Sequence, residues 1–120
     1  MAVVEVGAFR AEVVEDPSAK GPGLGHVVTL VGEIDVATAP SLEAALSIAF
    51  SERGNVIVDM AGVTFMGSSG IGELVRARRR LLSVDGNLSV RNAPPCVRQV
   101  FTVCGLDELL AEHWDIAAAS

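Results

Sequence analysis

Two adjacent serines, enclosed by glycines, are the residues of this chain whose type and spacing best suit chemistry. They lie in the hexapeptide Gly67-Ser68-Ser69-Gly70-Ile71-Gly72, between a short apolar run and an amphipathic segment. A hydroxyl at such a corner can accept a phosphoryl group, and a helix start stabilises an anion because its first backbone N–H groups lack intrahelical partners. The same residues also suit a structural purpose, in which a serine caps the helix and the glycines permit a tight turn.

The serines do not have the spacing of a hydrolytic nucleophile. The hydrolase elbow places glycine two residues before and two residues after its serine, whereas Ser69 is followed by Ile71 and Ser68 is preceded by Met66 at those positions. No Gly-Lys-Ser or Gly-Lys-Thr of a Walker loop follows the glycines, and neither histidine completes a Ser-His-Asp set. We therefore predict that the chain is not an enzyme but is acted upon.

The elements on either side must position the serines. Asn55 to Met60 is short, β-branched and nearly all apolar, which predicts a strand covered on both faces. The residues that follow place apolar and charged side chains on opposite sides at helical spacing, which predicts an amphipathic helix. Its apolar set comprises Ile71, Leu74, Val75, Leu81 and Leu82.

Strand and helix patterns alternate along the rest of the chain, which predicts an α/β domain. We expect a mainly parallel, four- to five-stranded central sheet with packed helices. Outside the serine segment, the predicted order is an edge strand or hairpin (Val3 to Val14), a loop (Asp16 to Gly25), a strand (Val27 to Ile34), a helix capped by Thr38 or Ser41, a strand (Leu88 to Val90 or Arg91), a helix introduced by Pro94 and Pro95, and a short helix (Leu106 to Trp114).

Composition excludes several classes of protein. A chain of 120 residues that is 50% hydrophobic forms one well-buried core but not two ordinary domains. The 15 acidic against 9 basic residues argue against nucleic acid as a partner. No apolar run reaches the roughly 18 residues of a membrane span, so we predict no membrane insertion. The N-terminal residues lack the pattern of a secretory signal, so we expect a cytoplasmic protein.

The chain has few metal ligands. Cys96 and Cys104 are the only cysteines, and their separation along one predicted helix is too great for a disulfide. We interpret both as reduced packing residues. Together with His26 and His113 they do not form a zinc-binding pattern, so we predict no metal and no other cofactor.

Four of the nine basic residues crowd the helix after the serines, at Arg76, Arg78, Arg79 and Arg80. A solvated helix face explains them, since arginines also suit the C-terminal half of a helix. A basic patch used for recognition explains them as well. A salt-sensitive interaction that is lost when these arginines are neutralised would favour the second interpretation.

The serine segment resembles the phosphoacceptor segment of the STAS domain family, the anti-sigma-factor antagonists of bacterial sporulation and stress response. The match is Phe65-Met66-Gly67-Ser68-Ser69-Gly70-Ile71-Gly72, and it continues upstream in Gly32-Glu33-Ile34-Asp35. Downstream it continues in Asn87 to Pro95 and in Gly105-Leu106-Asp107. The resemblance spans Val27 to Leu110, and we predict that residues 1–120 form a single domain of this kind.

The resemblance implies a role for each residue of the segment. Ser68 is the expected phosphoacceptor, with Ser69 as the alternative, and Asp35 is expected beside it at a neighbouring strand end. Met66 and Ile71 are expected to dock into the partner as apolar neighbours of Ser68. The full expected partner-binding set is Asp35, Met66, Gly67, Ser68, Ser69, Gly70, Ile71 and Gly72.

The resemblance also implies partners. Such antagonists bind an anti-sigma factor that is a serine kinase, a histidine-kinase-like ATPase, and thereby release a sigma factor for transcription. The kinase would supply ATP and magnesium, and a serine phosphatase would reverse the modification.

One position departs from the family pattern, because Gly67 stands where the family usually has aspartate. Three possibilities follow from this departure: weaker phosphorylation, phosphorylation by a kinase with different requirements, or a domain that is permanently unmodified. The alternatives to a switched antagonist are a scaffold subunit of a regulatory or lipid-transport complex and, less favoured, a nucleotide or small-ligand sensor that uses the N–H groups of the Gly70 to Gly72 turn.

Overall fold

Five strands form one sheet in the order β1-β2-β3-β4-β5, and helices connect and cover its strands. The structure is a computed structural model and describes residues 1–16, 25–50 and 54–110. The elements are β1 (Ala2–Val6), β2 (Phe9–Asp16), β3 (Gly25–Ile34), α1 (Ala39–Ala49), β4 (Asn55–Met66), α2 (Ser68–Leu82), β5 (Asn87–Arg91) and α3 (Pro95–Val103). A helical turn at 107–110 follows α3.

The sheet is mixed, and this refines the predicted architecture. The α/β class and the packed helices are confirmed, and the β3–β4 and β4–β5 pairings are parallel. The β1–β2 and β2–β3 pairings are antiparallel. Parallel neighbours need a crossover, which α1 and α2 provide, whereas Gly7 and Ala8 form a tight turn that returns β2 antiparallel to β1. Gly7 has a φ of 57°, a conformation that glycine adopts without strain.

The hairpin predicted between Val3 and Val14 is present as β1 and β2, and side chains of β2 alternate between the two faces of the sheet. Phe9, Ala11 and Val13 are buried, whereas Arg10 on the opposite face is exposed. Further along the chain, the core is built from β3, β4, β5 and the inner faces of the helices. Its largest fully buried side chains include Phe9, Phe101, Leu30, Ile34, Leu42, Leu46, Met60, Leu74, Leu88 and Leu109.

Strand β4 is longer than the sequence pattern predicts. The apolar run ends at Met60, but the strand continues to Met66 because Val63 and Met66 are also buried and the later residues keep pairing with β3. Helix α2 begins after a single residue, Gly67. The serines therefore follow the strand end directly.

Two packing predictions are wrong. Cys96 and Cys104 are free but exposed, because α3 directs Val97 and Phe101 toward the core instead. Leu82, predicted on the apolar side of α2, is 49% exposed, since the helix ends there.

Some predictions lie outside the described residues. They concern most of the loop from Asp16 to Gly25 and the part of the last short helix that includes His113 and Trp114. Within the described ranges, no helix is both long and apolar enough to cross a bilayer.

Candidate functional site

The carboxyl ends of β3 and β4 meet at one edge of the sheet. The two strands are parallel, Ile34 lies opposite Met66, and the Gly67 N–H donates to the Ile34 carbonyl oxygen at 2.8 Å. The loop that starts at Asp35 is therefore the neighbour of the corner that carries Ser68. The structure thus brings together these two parts of the predicted site, which are 33 positions apart in the sequence.

The start of α2 carries no side-chain cap. Gly67 is the N-cap residue, in an extended conformation with φ −94° and ψ 177°, and its carbonyl oxygen accepts the N–H groups of Gly70 at 3.1 Å and Ile71 at 3.2 Å. Ser68 and Ser69 are the first two helical residues, one and two positions after the N-cap residue. The capping interpretation of the serines is therefore wrong, and their hydroxyls are available for another purpose.

Both serine hydroxyls lack a hydrogen-bond partner among the described residues. Ser68 is exposed and Ser69 is half-buried. A kinase or a binding partner can therefore reach the Ser68 hydroxyl without unfolding any part of the described chain. This accessibility is the geometric requirement for a phosphoacceptor.

The corner is held rigidly by a close approach of helix to strand. A Cβ atom at Gly70 would lie 2.5 Å from Cγ2 of Ile34 and 3.5 Å from Cγ of Met66. Only glycine fits there without a shift of α2 away from the end of β3. The first turn of α2, and with it Ser68, is fixed on the sheet edge by this contact.

Asp35 is committed to its own loop. Its Oδ1 accepts the N–H groups of Ala37 and Thr38, each at 3.0 Å, and its carbonyl oxygen accepts the N–H of Ala39 at 2.9 Å. The Thr38 hydroxyl accepts the Asp35 N–H at 2.9 Å and donates to the Glu33 carbonyl oxygen at the same distance. The carboxylate therefore fixes the start of α1 and holds a negative charge in the loop beside Ser68.

The apolar docking residues inferred from the resemblance need correction. Met66 and Ile71 are only 3% and 7% exposed and belong to the core, because strand alternation and helical spacing direct both of them inward. The exposed apolar side chains of this edge are Val36, next to Asp35, at 79%, and Phe65, before Met66, at 51%. The alternation of β4 signals the outward direction of Phe65 once Met66 is assigned to the core, but the strand was predicted to end too early for that reading.

The glycines of the segment divide into tight and open positions. A Cβ at Gly67 would lie 3.4 Å from Cε2 of the Phe65 ring, so that ring packs beside the N-cap residue. A Cβ at Gly72 would meet only the guanidinium of Arg76, at 3.4 Å and beyond. Both positions therefore tolerate a small side chain, unlike Gly70.

Three of the four arginines of α2 have partners in the structure. Arg76 pairs with Glu73, Arg78 pairs with Glu108 at 3.1 Å, and the guanidinium of Arg80 lies 5.2 Å from the centre of the Phe50 ring. Arg76 and Arg80 line a groove of about 200 Å³ between α1 and α2, together with Glu43, Leu46, Ser47, Phe50, Glu73 and Ala77. Because acidic and basic side chains alternate in this groove, it is not a uniformly basic surface.

A second carboxylate, Asp59, lies where the β4–β5 pairing ends opposite Arg91. Burial alone would raise its pKa, but the Ala61 N–H at 3.0 Å, the Arg91 guanidinium at 3.0 Å and the Asn92 amide at 3.2 Å all donate to it, so the pKa lies below the usual value. These partners fix the strand end and leave Asp59 a structural role. Within 1–16, 25–50 and 54–110, no three metal-ligating side chains cluster.

Comparison with protein-family models matches residues 12–118 to the STAS domain. The chain belongs to the STAS domain family. An anti-sigma-B factor antagonist of Staphylococcus epidermidis is 33% identical over 87 residues, which cover 71% of this chain and 80% of that protein.

Two solved structures extend the comparison to three dimensions. The anti-sigma factor antagonist SpoIIAA in its unphosphorylated form superposes with a TM-score of 0.67 at 26% identity, covering 90% of this STAS domain chain and 96% of that one. An anti-sigma factor antagonist from Mycobacterium paratuberculosis superposes with a TM-score of 0.69 at 27% identity, covering 86% and 83%. The fold described above is therefore that of STAS domain antagonists.

Proposed function

We propose that this STAS domain is an anti-sigma-factor antagonist that binds an anti-sigma factor through the Ser68 corner and is switched off by phosphorylation of Ser68. The relatives and solved structures that carry this name support the proposal. The observation that carries it is the exposed Ser68 hydroxyl, which has no hydrogen-bond partner among the described residues and stands on the first residue of a helix that is fixed to the sheet.

The unmodified corner offers an apolar contact surface with a polar centre. Val36 is exposed in the loop after β3, Phe65 is exposed near the end of β4, and Ser68 follows Phe65 by three residues. When a partner covers exposed apolar side chains of this size, the complex is stabilised by about 25 cal/mol per Å² of buried apolar surface. The serine hydroxyl is small enough to be covered along with them.

Phosphorylation changes the same surface from weakly polar to strongly charged. It adds roughly −1.5 to −2 charges at neutral pH, beside the carboxylate that Asp35 holds in the neighbouring loop. A partner that covers the corner would then have to desolvate a phosphate next to a like charge. Every 1.4 kcal/mol of such cost lowers the affinity about tenfold.

The domain itself performs no chemistry in this scheme. The partner is an anti-sigma factor of the serine-kinase type, which supplies ATP and magnesium, and a serine phosphatase removes the phosphate. Both reactions take place in the cytoplasm, where sigma factors act. The role of each predicted site residue follows. Ser68 is modified, Asp35 supplies a negative charge that repels the phosphate, and the rest of the segment from Gly67 to Gly72 shapes the corner.

The test combines phosphate uptake with binding. The purified chain is incubated with a candidate kinase anti-sigma factor and ATP, and we expect one added phosphate by mass spectrometry, mapped to Ser68. Ser68→Ala should abolish uptake and retain binding, whereas Ser68→Asp should weaken binding at least tenfold by calorimetry. Ser69→Ala is the matched control, because it removes the adjacent hydroxyl alone. Uptake lost in Ser69→Ala and kept in Ser68→Ala would reassign the phosphoacceptor.

A scaffold role without phosphorylation is the second candidate, and Gly67 favours it. The position that carries aspartate in the family motif has no carboxylate here to orient the hydroxyl or to assist a metal-nucleotide complex. Stable partner binding with no phosphate uptake under any kinase tested would select this role. In that case Phe65→Ala should still weaken binding, because the apolar contact does not depend on phosphate.

A further inference from the structure

The side chain of Arg76 lies folded back along α2 toward the serines. A Cβ atom at Gly72 would be 3.4 Å from Nη1, 3.7 Å from Nη2 and 3.9 Å from Cζ of Arg76. The guanidinium thus lies over the bare backbone of Gly72, one helical turn before its own Cα. Helical side chains generally lean toward the N-terminus in this way, and the missing side chain at Gly72 leaves this one room to do so.

Gly72 is also the helical neighbour of Ser68. Residues four apart in a helix lie on one face, with Cβ atoms about 5 to 6 Å apart. Because the guanidinium of Arg76 lies on the Gly72 position, it occupies the site that faces the Ser68 side chain on the next turn. No side chain of Gly72 separates the two groups. The Ser68 hydroxyl itself is exposed and has no partner within the part of the chain that the structure describes, so a phosphate on it can turn toward Arg76.

Arg76 is held at present by a partner that a phosphate can replace. It pairs with Glu73, whose side chain is only 12% exposed, while the Arg76 side chain is 64% exposed. Arginine binds a phosphate through two parallel N–H···O bonds, and a phosphate near pH 7 carries more charge than a carboxylate. The solvated arginine can therefore shift to the phosphate while the carboxylate stays in the groove between the helices.

We propose that Arg76 binds the phosphate of phosphorylated Ser68, exchanging its ion pair with Glu73 for a contact with the modified serine. This inference rests on the proposed function, because it takes Ser68 as the phosphoacceptor. Arg76 would provide the positive charge opposite the phosphate, against the carboxylates of Asp35 in the β3–α1 loop and Glu73 on α2. Gly67 favours this contact as well, since it adds no further negative charge beside Ser68.

The experiment measures the phosphate directly and does not need a kinase. Phosphoserine is incorporated at position 68 of the full chain during translation, and the second phosphate pKa is followed by ³¹P NMR titration. Arg76→Gln should raise this pKa by about half a unit, the shift that an exposed ion pair supports. Arg79→Gln is the matched control, since Arg79 is exposed on the same helix and should leave the pKa unchanged. An equal pKa in the wild type and Arg76→Gln overturns the proposal.

A second substitution separates a direct contact from a general effect of charge. In chains with phosphoserine at position 68, the phosphate pKa of Arg76→Lys should lie between those of the wild type and Arg76→Gln, because lysine keeps the charge but cannot form the bidentate contact. Glu73→Gln should lower the phosphate pKa in the wild-type background by releasing Arg76, and should do so less when Arg76 is already glutamine. Equal effects of Glu73→Gln in both backgrounds would also contradict the exchange. Failure of the kinase assay would instead contradict the proposed function and leave this titration interpretable.

Discussion

Helices α1 and α2 start side by side at one edge of the sheet, and their first turns are built in opposite ways. In the loop before α1, the side chains of Asp35 and Thr38 take part in five hydrogen bonds. The α2 start has glycine at the N-cap, and the hydroxyls of Ser68 and Ser69 are without partners in the described chain. A glycine at the N-cap gives up a few tenths of a kcal/mol of stability relative to a capping side chain.

The difference identifies which of the two starts is left available to another molecule. The α2 corner does not lack polar residues, since two serines follow Gly67 directly, but both are placed inside the helix where they cannot cap it. Rigidity comes instead from the close packing of Gly70 on Ile34. The corner is thereby firmly positioned and chemically open at the same time.

The largest expected effect comes from destroying that packing. Gly70→Val would place side-chain atoms where a Cβ alone already lies 2.5 Å from the buried Ile34, so we expect a loss of about 3 kcal/mol in the free energy of unfolding, the upper end of the usual cost of overpacking. Urea denaturation followed by circular dichroism measures it. Gly72→Ala is the matched control, because its Cβ meets only the flexible end of Arg76, and alanine should stabilise α2 by up to about 1 kcal/mol. Similar stabilities for both variants would refute a rigid attachment at Gly70.

A smaller loss is expected from opening the α1 start. Asp35→Ala removes the acceptor of the Ala37 and Thr38 N–H groups, and we expect a loss of about 1 to 2 kcal/mol in the free energy of unfolding. Asp35→Asn keeps an acceptor oxygen and should lose less than half as much. If alanine and asparagine are equivalent in thermal unfolding, the loop does not depend on these hydrogen bonds.

The fold was largely predictable from local patterns, and the site was only partly so. Alternation in β2 and the β-branched run of β4 are short-range signals, so strands and their order emerged correctly. The antiparallel pairing of β2 with β3 and the extension of β4 to Met66 depend on contacts between separate segments, which local patterns do not encode. The exposure of Phe65 and Val36 and the burial of Met66 therefore required the structure. The burial of Ile71 agrees with its place on the predicted apolar side of α2.

Asp59 lies outside both helix starts, and its contribution to the free energy of unfolding depends on pH. The hydrogen bonds to Asp59 lower its pKa in the folded state below the value of about 3.9 in unfolded chains. Its contribution is therefore present above pH 3.9 and is lost as the pH falls through the lower, folded-state pKa. Asp59→Asn should cost about 1 kcal/mol at pH 7 and progressively less in acid.

Urea unfolding of wild type and Asp59→Asn across pH 2 to 7 checks this expectation. The difference between the two proteins isolates Asp59 from other carboxylates that also titrate in this range. Glu15→Gln serves as the control, because Glu15 is exposed and its removal should give a difference that does not vary in the same way. A constant difference for Asp59→Asn at all pH values would show that its charge adds no stability.

The smallest expected change is also the most informative about the open corner. Gly67→Asp places a capping carboxylate at the start of α2, where the extended backbone of Gly67 suits a cap, and we expect a gain of a few tenths of a kcal/mol in stability. Gly67→Ala is the control, since alanine fits the same space beside Phe65 but cannot cap and should lose stability. Thermal unfolding of the two variants measures the difference in stability between them.

Kinase assays on the same variants then connect stability to the switch. If the missing carboxylate limits phosphorylation, Gly67→Asp should increase phosphate uptake at Ser68 while Gly67→Ala should not, although both fill the same space. If Arg76 holds the phosphate, the added carboxylate should also raise the phosphate pKa in the phosphoserine chain, because it introduces a negative charge beside the modified residue. A carboxylate at position 67 would then make the corner more stable and more readily modified, but its charge would oppose the contact that we propose between Arg76 and the phosphate.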